Sequence, residues 1–255
     1  MTIRLSTGAR NGMASTLGFQ GMFNKGYMEI YTGAQPASGD AASTGTKLGV
    51  ITVASGTLTK ETRATGSVTI TGGATSVATV TVGGLNIIPD GAVPYNTSVN
   101  QTASDLCDAI NRNGMMEASV SGAVVTLKGR PGSGVLTGAV SSTGSVTATY
   151  VNMGSGISGV APVNGLTLLP PASGVITKNT QVWSMAGIAV GTAGWFRLFS
   201  SDTADTGALL SAAPWYPRID GTCGVGSGDA QLSSLSVTVS SPHSIDVFQF
   251  TMPAA

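Results

Sequence analysis

His243, in the stretch SPHSID, is the one residue of this sequence that could support histidine-based catalysis. Asp246 lies close to it in sequence and serines are plentiful, so all three residue types of a Ser-His-Asp triad are present. No G-x-S-x-G elbow presents a serine at a strand-to-helix turn, and the stretch has the composition of a turn into the final strand. The sequence therefore predicts a loop histidine without a catalytic role.

Two glycine-rich stretches are similar to ligand-binding motifs but lack the surroundings that those motifs need. GSGISG at 154–159 satisfies the dinucleotide pattern G-x-G-x-x-G, yet the A-P-V at 161–163 cannot open the helix that cradles a pyrophosphate. GVGSGDAQL at 224–232 resembles one turn of a calcium-binding nonapeptide repeat, whose ligands come from stacked copies. A linker and a Gly-rich turn are predicted, with a lone calcium ion shared with Asp220 as the alternative for the second stretch.

The acidic residues and the cysteines do not indicate a catalytic or metal-binding site either. Asp202 and Asp205 stand in one turn, SSDTADTGA, whereas glycoside cleavage needs two carboxylates that converge from facing strands. Cys107 and Cys223 are far apart and show no C-x-x-C spacing, which favours two free, half-buried thiols. The sequence predicts no catalytic residue, no metal ligand and no cofactor, and hence a protein that is not an enzyme.

The aromatic stretch PWYPRID is the best candidate for a binding surface. Pro214 and Pro217 bracket Trp215 and Tyr216 in an extended segment that neighbouring strands would leave near the surface. Trp and Tyr supply large stacking areas for carbohydrate or protein partners. Binding through Trp215 and Tyr216 is one interpretation, and simple packing is the other.

The charge content limits the classes of partner. Only 9% of the 255 residues are charged, and 12 basic residues balance 12 acidic ones, so no electrostatic footprint for nucleic acid is present. Apolar residues make up 42%, enough to fold the chain in spite of 36 glycines. The start of the chain lacks the apolar run of a secretory signal, and the most apolar region, 185–199, is too short for a membrane span. We expect synthesis in the cytoplasm and no membrane partner.

A long segment near the start of the chain has no residues that could build a core. In YMEIYTGAQPASGDAASTGTKLGVI, residues 27–51, two strand-like ends flank loop chemistry that includes Pro36 and Asp40. Long loops inside compact domains are usually functional or docked on a surface.

Two short helices are predicted ahead of this segment. Ser6 is a good N-cap for the first. The second, residues 19–25, presents Phe19 and Phe23 and ends before Gly26. This pair either plugs one end of a sheet or contacts a neighbouring subunit.

The middle of the chain has a regular pattern of short strands around one helix. Gly72 and Gly73 between the first two strands predict a hairpin, and Thr102 and Gly114 are typical helix ends. The elements in order are strands 67–71 and 76–82, helix 102–114, and strands 118–120, 124–127 and 145–151. The β-β-α-β-β order of the first five elements, followed by the last strand after a Gly-rich turn, predicts a small α+β module over residues 66–152.

Loop-like flanks at 60–66 and 152–165 make this module an insertion. Residues 1–62 then form one discontinuous outer domain together with residues 158–255. Many short strands punctuated by Gly and Pro predict a mainly β fold, with a β-sandwich or jelly-roll-like barrel as the outer domain. The C-terminal part supplies alternating strands for it at 177–190, 193–201, 232–241 and 244–252.

The two ends of the chain resemble a family of tailed-bacteriophage structural proteins. The likeness rests on RLSTGARNGM, YMEIYTGAQPASGDAASTGTKLGVIT, GWFRLF, RIDGTCGVGSGDAQLSSLSV and DVFQFTMPAA, and covers residues 1 to 55 and 175 to 255. The middle module is similar to small modules of phage tail proteins and flagellar hook-associated proteins, on the basis of TASDLCDAIN and VSGAVVTL.

These resemblances imply a non-enzymatic structural subunit of the virion, docked on the capsid or tail as a decoration, collar or tail component. The expected partners are copies of itself and other virion proteins. The loop at 33–46 would then be an arm against an adjacent subunit, with Pro36, Asp40, Phe19 and Phe23 at subunit contacts. The alternative is a host-receptor or glycan-binding fibre or tail protein that uses the inserted module or Trp215 and Tyr216.

Overall fold

The structure is a computed structural model of the chain. It describes residues 3–15, 17–155, 157, 159–202, 207–208 and 215–251. Pro214, Asp205, Gly156 and Met252, which belong to stretches discussed above, lie outside the described residues.

Strands account for 45% of the chain and helices for 12%, so the predicted mainly β class is confirmed. None of the described helices has the length and apolar character needed to cross a membrane. The helices are α1 (Thr7–Met13), α2 (Gly18–Phe23) and α3 (Val99–Asn113). The strands are β1 (Arg4–Leu5), β2 (Tyr27–Thr32), β3 (Lys47–Val53), β4 (Thr65–Val82), β5 (Leu85–Asn86), β6 (Val93–Pro94), β7 (Glu117–Ser121), β8 (Val124–Lys128), β9 (Val140–Val151), β10 (Val175–Thr177), β11 (Trp183–Ala186), β12 (Gly191–Phe199), β13 (Arg218–Gly224), β14 (Ala230–Leu232), β15 (Ser236–Val237) and β16 (Pro242–Thr251).

The chain divides into two compact units. Unit 1 comprises Met1–Ala14, Gly18–Lys60 and Pro162–Ala255. Unit 2 comprises Ser15–Leu17 and Glu61–Ala161, so its main segment interrupts unit 1 in sequence.

Seven strands of unit 1 form a closed ring of hydrogen-bonded neighbours. The order around the ring is β2, β3, β11, β16, β14, β13 and β12, and β12 pairs again with β2. All of these pairings are antiparallel except the short one between β13 and β14. Closure of a sheet on itself satisfies the backbone groups that an open edge would leave unpaired.

The ring is filled by aromatic and aliphatic side chains that alternate along each strand. Phe196 on β12 meets Phe248 on β16 with ring centroids 5.9 Å apart, although these two strands are not neighbours, so both rings point inward. Trp183 lies 5.6 Å from Phe248. The opposite face of β12 carries Trp195 and Arg197, which are also buried. Both faces of this strand are therefore covered, one by the core of the ring and one by other segments of unit 1.

Unit 2 is an open sheet with α3 on one face. The strand order is β5-β4-β8-β7, with β6 and β9 also paired to β4. The stripe Ala103, Leu106, Cys107 and Ile110 on α3 is buried as predicted, and it belongs to one core cluster with the inward residues of β4 and β8. Gly114 ends the helix in a left-handed conformation, φ 62°, also as predicted.

The helix begins earlier than its sequence signal indicated. Ser98, not Thr102, is the N-cap, because its Oγ accepts a hydrogen bond from Gln101 N at 3.2 Å. The hydroxyl of Thr102 instead donates to Ser98 O at 2.9 Å inside the first turn.

The predicted hairpin at 67–82 is wrong, because β4 runs through both glycines as one strand of 18 residues. β9 pairs along its whole length, and the register shifts between Ile70 and Gly72 and between Gly73 and Val77 take up the extra residues as bulges. Gly73 has φ 131°, and a Cβ there would lie 2.5 Å from Val146 Cα. The glycines thus serve a close strand approach, not a turn.

The alternating apolar pattern at 232–241 also predicted more strand residues than the structure contains. Within that stretch only Leu232, the last residue of β14, and Ser236–Val237 belong to strands, and Val239 is 60% exposed. The strands predicted at 118–120 and 124–127 are present as β7 and β8.

Candidate functional site

The loop at 33–46 lies over a buried ion pair on the outer face of the ring. In the register of the sheet, Arg197 on β12 stands opposite Glu29 on β2 and opposite Asp220 on β13. Side chains directly opposite each other in a sheet share a face. Three strands thus bring one guanidinium and two carboxylates into a single row.

Arg197 and Asp220 form a bidentate pair without solvent exposure. Arg197 Nε donates to Asp220 Oδ1 at 2.6 Å and Nη2 donates to Oδ2 at 2.7 Å, and both side chains are 0% exposed. Burial raises the pKa of the Asp220 carboxyl, and the hydrogen bonds and charge of Arg197 oppose that shift. Removal of either partner would leave a buried charge without compensation.

The remaining nitrogen of Arg197 holds the loop. Its Nη1 donates to Ala41 O at 2.9 Å and to Ser43 Oγ at 3.2 Å. The guanidinium therefore connects β12, β13 and the loop. Its planar fork of N–H donors makes this possible, and the ammonium group of a lysine could not supply it.

Glu29 completes the polar row. Its Oε1 lies 3.2 Å from Lys47 Nζ, and its Oε2 accepts a short hydrogen bond from the Tyr31 hydroxyl. Burial, followed by the hydrogen bond to Glu29, raises the pKa of Tyr31, and burial is also the largest cause of the raised pKa of Tyr27. Both phenols stay protonated in the folded chain at neutral pH.

Asp40 and Pro36 are engaged by the first residues of the same chain. Asp40 Oδ1 accepts from Thr7 N at 2.8 Å and Oδ2 accepts from Thr7 Oγ1 at 2.8 Å, at the start of α1. Arg4 Nη1 donates to Gln35 O at 3.1 Å and also to Pro36 O, and Pro36 is buried. These bonds dock the loop on its own chain, and a contact of the loop with an adjacent subunit stays a prediction.

Phe19 and Phe23 belong to the interior of unit 1. Phe19 is 4% exposed and Phe23 is 0% exposed. The ring of Phe19 stacks on Phe250 of β16 at 4.4 Å and lies 5.0 Å from Phe23. Of the two predicted roles, this placement supports the plug of a sheet, and it leaves no aromatic surface there for a neighbouring subunit.

The aromatic pair Trp215 and Tyr216 does not form an open stacking platform. Trp215 is 3% exposed, so its indole is packed inside unit 1, and Tyr216 is half-buried. The packing interpretation therefore accounts for Trp215.

The residues that could act as catalytic groups or metal ligands form hydrogen bonds within the chain. His243 lies in β16 and is 4% exposed, with Nε2 at 2.7 Å from Ser241 Oγ, so it is a buried strand residue and not the predicted loop histidine. Asp229 Oδ2 accepts from Thr222 N at 2.9 Å, as expected for a turn, and both oxygens of Asp220 are bound by Arg197. Among the described residues no group of three or more His, Cys, Asp or Glu side chains could hold a metal ion.

The two thiols are free, as predicted. Burial raises the pKa of Cys223 to about 12 and also raises the pKa of Cys107. Neither thiol is therefore activated as a nucleophile, because the thiolate is the reactive form.

One cavity lies in unit 2, beside α3. It has a volume of about 410 Å³ and its lining includes Asp90, Asp108 and Arg112. Asp105, which also lines it, accepts hydrogen bonds from Asn96 and Gln101 at 2.9 Å each. Its charged groups belong to the solvated face of the helix and to the loop before it.

Three large apolar side chains of unit 1 are exposed on two adjoining segments. They are Ile188, Val190 and Val239, which are 56%, 71% and 60% exposed and are called the exposed cluster below. The two segments that carry them are joined by hydrogen bonds from Ser240 N to Gly187 O at 2.7 Å and from Gly187 N to Ser241 O at 2.9 Å. Large apolar side chains exposed on adjoining segments favour a surface that a partner covers.

The outer face of unit 2, opposite α3, is lined with hydroxyl groups. Thr79 and Thr143 bond to each other across β4 and β9 at 2.6 Å, and Thr81 and Ser141 do so at 2.7 Å. Sequence reasoning missed this face because it read β4 as two strands. The signal was present in the regular Ser and Thr residues of SVTIT, SVATVTV and SVTATYV.

No protein-family model matches the sequence, and no curated protein is significantly similar to it.

Proposed function

We propose that the chain is a non-enzymatic structural subunit of a bacteriophage virion, which assembles with copies of itself and with other virion proteins of the capsid or tail. The proposal takes its family from the resemblance of both ends of the chain to tailed-bacteriophage structural proteins. The structural observation that carries it is the exposed cluster of Ile188, Val190 and Val239.

This cluster favours assembly because the rest of the chain offers few charges to keep a monomer in solution. Only 9% of the residues are charged and the net charge is zero. Net charge near zero combined with exposed apolar side chains promotes association. In a virion such a surface is covered by a neighbouring subunit.

The docked loop at 33–46 supports the same role in a different way. Its hydrogen bonds to Arg4, Thr7 and Arg197 fix a long irregular segment on the outside of the ring. A surface with fixed loops suits a lattice contact, since little conformational entropy is lost when a neighbour binds.

The finer description of the fold is also a proposal. We infer that unit 1 is the outer domain, of the jelly-roll-like barrel form rather than a two-sheet sandwich, and that unit 2 is an inserted α+β module. The closed order of seven strands supports the barrel form, and the single long segment of unit 2 between the parts of unit 1 supports the insertion.

A test combines composition of particles with a surface variant. We expect peptides of this chain in purified virions in a fixed ratio to the other structural proteins, measured by quantitative mass spectrometry. Replacement of Ile188, Val190 and Val239 by Ser should remove the chain from particles and leave tryptophan fluorescence unchanged.

The matched control changes other valines of unit 1 that are equally exposed. Val182→Ser and Val225→Ser alter residues that are each 59% exposed, outside the cluster. They should leave incorporation unchanged. A chain that is monomeric by light scattering and absent from purified virions would overturn the proposed function.

A further inference from the structure

A small cavity of unit 2 lies between the end of α3 and the loop at 129–139, which joins β8 to β9. Its volume is about 180 Å³. Two polar residues of the loop, Arg130 and Ser133, contribute to its lining, and we call it the Arg130 cavity. The rest of the lining is apolar and consists of Val82, Leu85, Ile87, Met115, Met116 and Leu136.

The apolar lining is buried at one end of the cavity and exposed at the other. Ile87 and Met116 are 1% and 5% exposed, and both belong to the core cluster of unit 2. Leu85 is 59% exposed, and Arg130 is exposed as well. The cavity therefore extends from the core to the surface, and its charged residue lies at the mouth.

Hydrogen bonds hold the loop that carries the two polar residues. Ser133 N donates to Arg130 O at 3.1 Å, and Gly132 between them has the positive φ, 78°, that a type II turn needs at its third residue. The carboxylate of Glu61 accepts from Gly132 N at 2.5 Å and from Gly134 N at 2.6 Å. Because this wall of the cavity is already fixed, a ligand loses little affinity to the ordering of the loop.

Arg130 is a cation without a carboxylate partner in the described part of the chain. Glu61 is bound by the loop, and Glu117 of β7 pairs with Arg63, whose Nη2 lies 2.6 Å from Glu117 Oε2. The remaining acidic residues of unit 2 line the cavity beside α3. The guanidinium of Arg130 can therefore bind an anion from outside the chain, and its planar fork suits a carboxylate.

Ser133 adds a second polar group to the cavity. Its Oγ is buried, and it has no hydrogen-bond partner among the described residues. A buried polar atom without a partner costs free energy, which a ligand with an acceptor would recover. Ser133 and Arg130 stand at the two ends of the same turn, so both are available to one anionic group.

We propose that the Arg130 cavity binds a short aliphatic carboxylate. The alkyl chain lies among the apolar side chains, and the carboxylate accepts hydrogen bonds from Arg130 and from the Ser133 hydroxyl. An apolar cavity of about 150 Å³ can hold a six-carbon molecule, so a volume of about 180 Å³ suits a chain of about six carbons. Met115 and Met116 can adapt to its shape, because methionine side chains are flexible. A small-molecule site of this kind goes beyond the proposed function and does not rest on it.

Charge and burial favour a carboxylate over other ligands of the same size. A fully apolar ligand would leave Ser133 Oγ without a partner and would cover part of the Arg130 guanidinium without binding it. An aliphatic amine would place its positive charge beside that of Arg130. An alkyl chain with one negative charge satisfies both polar residues and fills the apolar part of the cavity.

NMR of the methionine methyl groups in the full chain tests the site, with hexanoate as the probe. The chain contains 9 methionines, and the signals of Met115 and Met116 are identified by substitution of each residue with Leu. Hexanoate should shift these two signals and leave that of Met28, which is buried in unit 1, in place. The affinity should rise about fourfold with each CH₂ from butanoate to hexanoate. It should stop rising when the chain is longer than the cavity.

Substitution of the arginine tests the contact with the carboxylate. Arg130→Gln should weaken hexanoate binding about tenfold and leave the affinity for 1-hexanol unchanged, because the alcohol carries no charge. Arg112→Gln is the matched control, since it changes an exposed arginine of unit 2 that lines the other cavity, and it should alter neither affinity. Circular dichroism checks that each variant is folded.

Three results would overturn this inference. The first is that hexanoate leaves the signals of Met115 and Met116 in place, which would show that the cavity binds no such ligand. The second is that 1-hexanol or hexylamine binds as tightly as hexanoate, and the third is that Arg130→Gln has no larger effect than Arg112→Gln. Either of these would show that the ligand class is wrong. Incorporation into virions is measured separately, so failure of the proposed function would be recognised independently.

Discussion

The sheets of unit 1 and unit 2 differ in whether their strand pairings close into a ring. Unit 1 closes seven strands into a ring, fills it with Phe196, Phe248 and Trp183, and covers part of its outer face with the loop at 33–46. The strand pairings described for unit 2 do not close into a ring, and its core is covered by α3. An almost uncharged chain thus stabilises one β-rich region through a closed ring of strands and the other through a helix packed on a sheet.

The two units can be followed separately in one experiment. All three tryptophans of the chain belong to unit 1, so tryptophan fluorescence reports its unfolding alone. The longest described helix, α3, belongs to unit 2, so the loss of its helical signal in circular dichroism reports the unfolding of that unit. The predictions below use these two signals.

The largest effect is expected from the ion pair under the loop. Arg197→Met leaves Asp220 buried without its partner, and we expect unit 1 to lose about 3–5 kcal/mol of unfolding free energy. Arg10→Met, the same substitution at an exposed position, should change it by less than about 0.5 kcal/mol. Denaturant titration followed by tryptophan fluorescence measures both. A loss below about 1 kcal/mol for Arg197→Met would show that the pair does not hold the closed unit together.

The next effect should appear in unit 2 alone. Leu106 is 0% exposed at the centre of the α3 stripe, and Leu106→Ala creates a cavity that costs about 2–5 kcal/mol. The part of the helical band that comes from α3 should then be lost at lower denaturant, while the tryptophan transition stays in place. Asp108→Ala, at an exposed position of the same helix, is the control and should leave both transitions unchanged. Equal shifts of both signals in Leu106→Ala would mean that the two units unfold as one.

Smaller effects are expected from glycine substitutions in the two units. A Cβ at Gly194 in the ring would lie 2.0 Å from Gly33 O, whereas one at Gly72 in unit 2 meets nothing within 4 Å. We expect Gly194→Ala to cost unit 1 about 1–3 kcal/mol through overpacking. Gly72→Ala should be neutral or stabilise unit 2 by up to about 1 kcal/mol, because alanine restricts the unfolded chain. The reverse order of the two effects, measured by thermal melting, would contradict the close approach in the ring.

Alkaline pH should weaken unit 1 more than unit 2. The pKa of Cys223 is raised from 9.0 to about 12 in the folded chain, so the thiol ionises first in the unfolded state and stability falls as pH rises between these values. At pH 10 this group costs unit 1 about 1.4 kcal/mol, and the raised pKa values of Tyr27 and Tyr31 add to the same trend. Denaturant midpoints of the tryptophan signal at pH 8 and pH 10 measure the loss, and Cys223→Ala should reduce it. A midpoint of unit 1 that is independent of pH would refute the raised pKa of this thiol.

The sequence alone was sufficient to predict those elements that depend on interactions between residues a few positions apart. Ser6 caps α1 as predicted, its Oγ accepting from Ala9 N at 3.1 Å, and the stripe and final glycine of α3 were also read correctly. Helix caps and periodicity act within a few residues, so a single sequence contains them.

Features that depend on distant partners could not be predicted. Gly72 and Gly73 have the chemistry of a turn, and only the presence of β9 makes them part of a continuous strand. The docking of the loop at 33–46 on its own chain could not be predicted, because its anchor, Arg197, is far away in sequence and reaches it only through the register of β12 with β2 and β13. Trp215 looked exposed between two prolines, and the fold buries it.

The pairing of β2 with β12 also sets an order of events during synthesis. Tyr27 stands opposite Phe199 in the sheet, so the ring cannot close until most of the chain has left the ribosome. The long segment of unit 2 is complete well before that point, and it can fold while the first hairpin of unit 1 waits for its partner. Domains generally fold as units during translation. For this chain the interrupting unit is completed first, and the interrupted one is finished last.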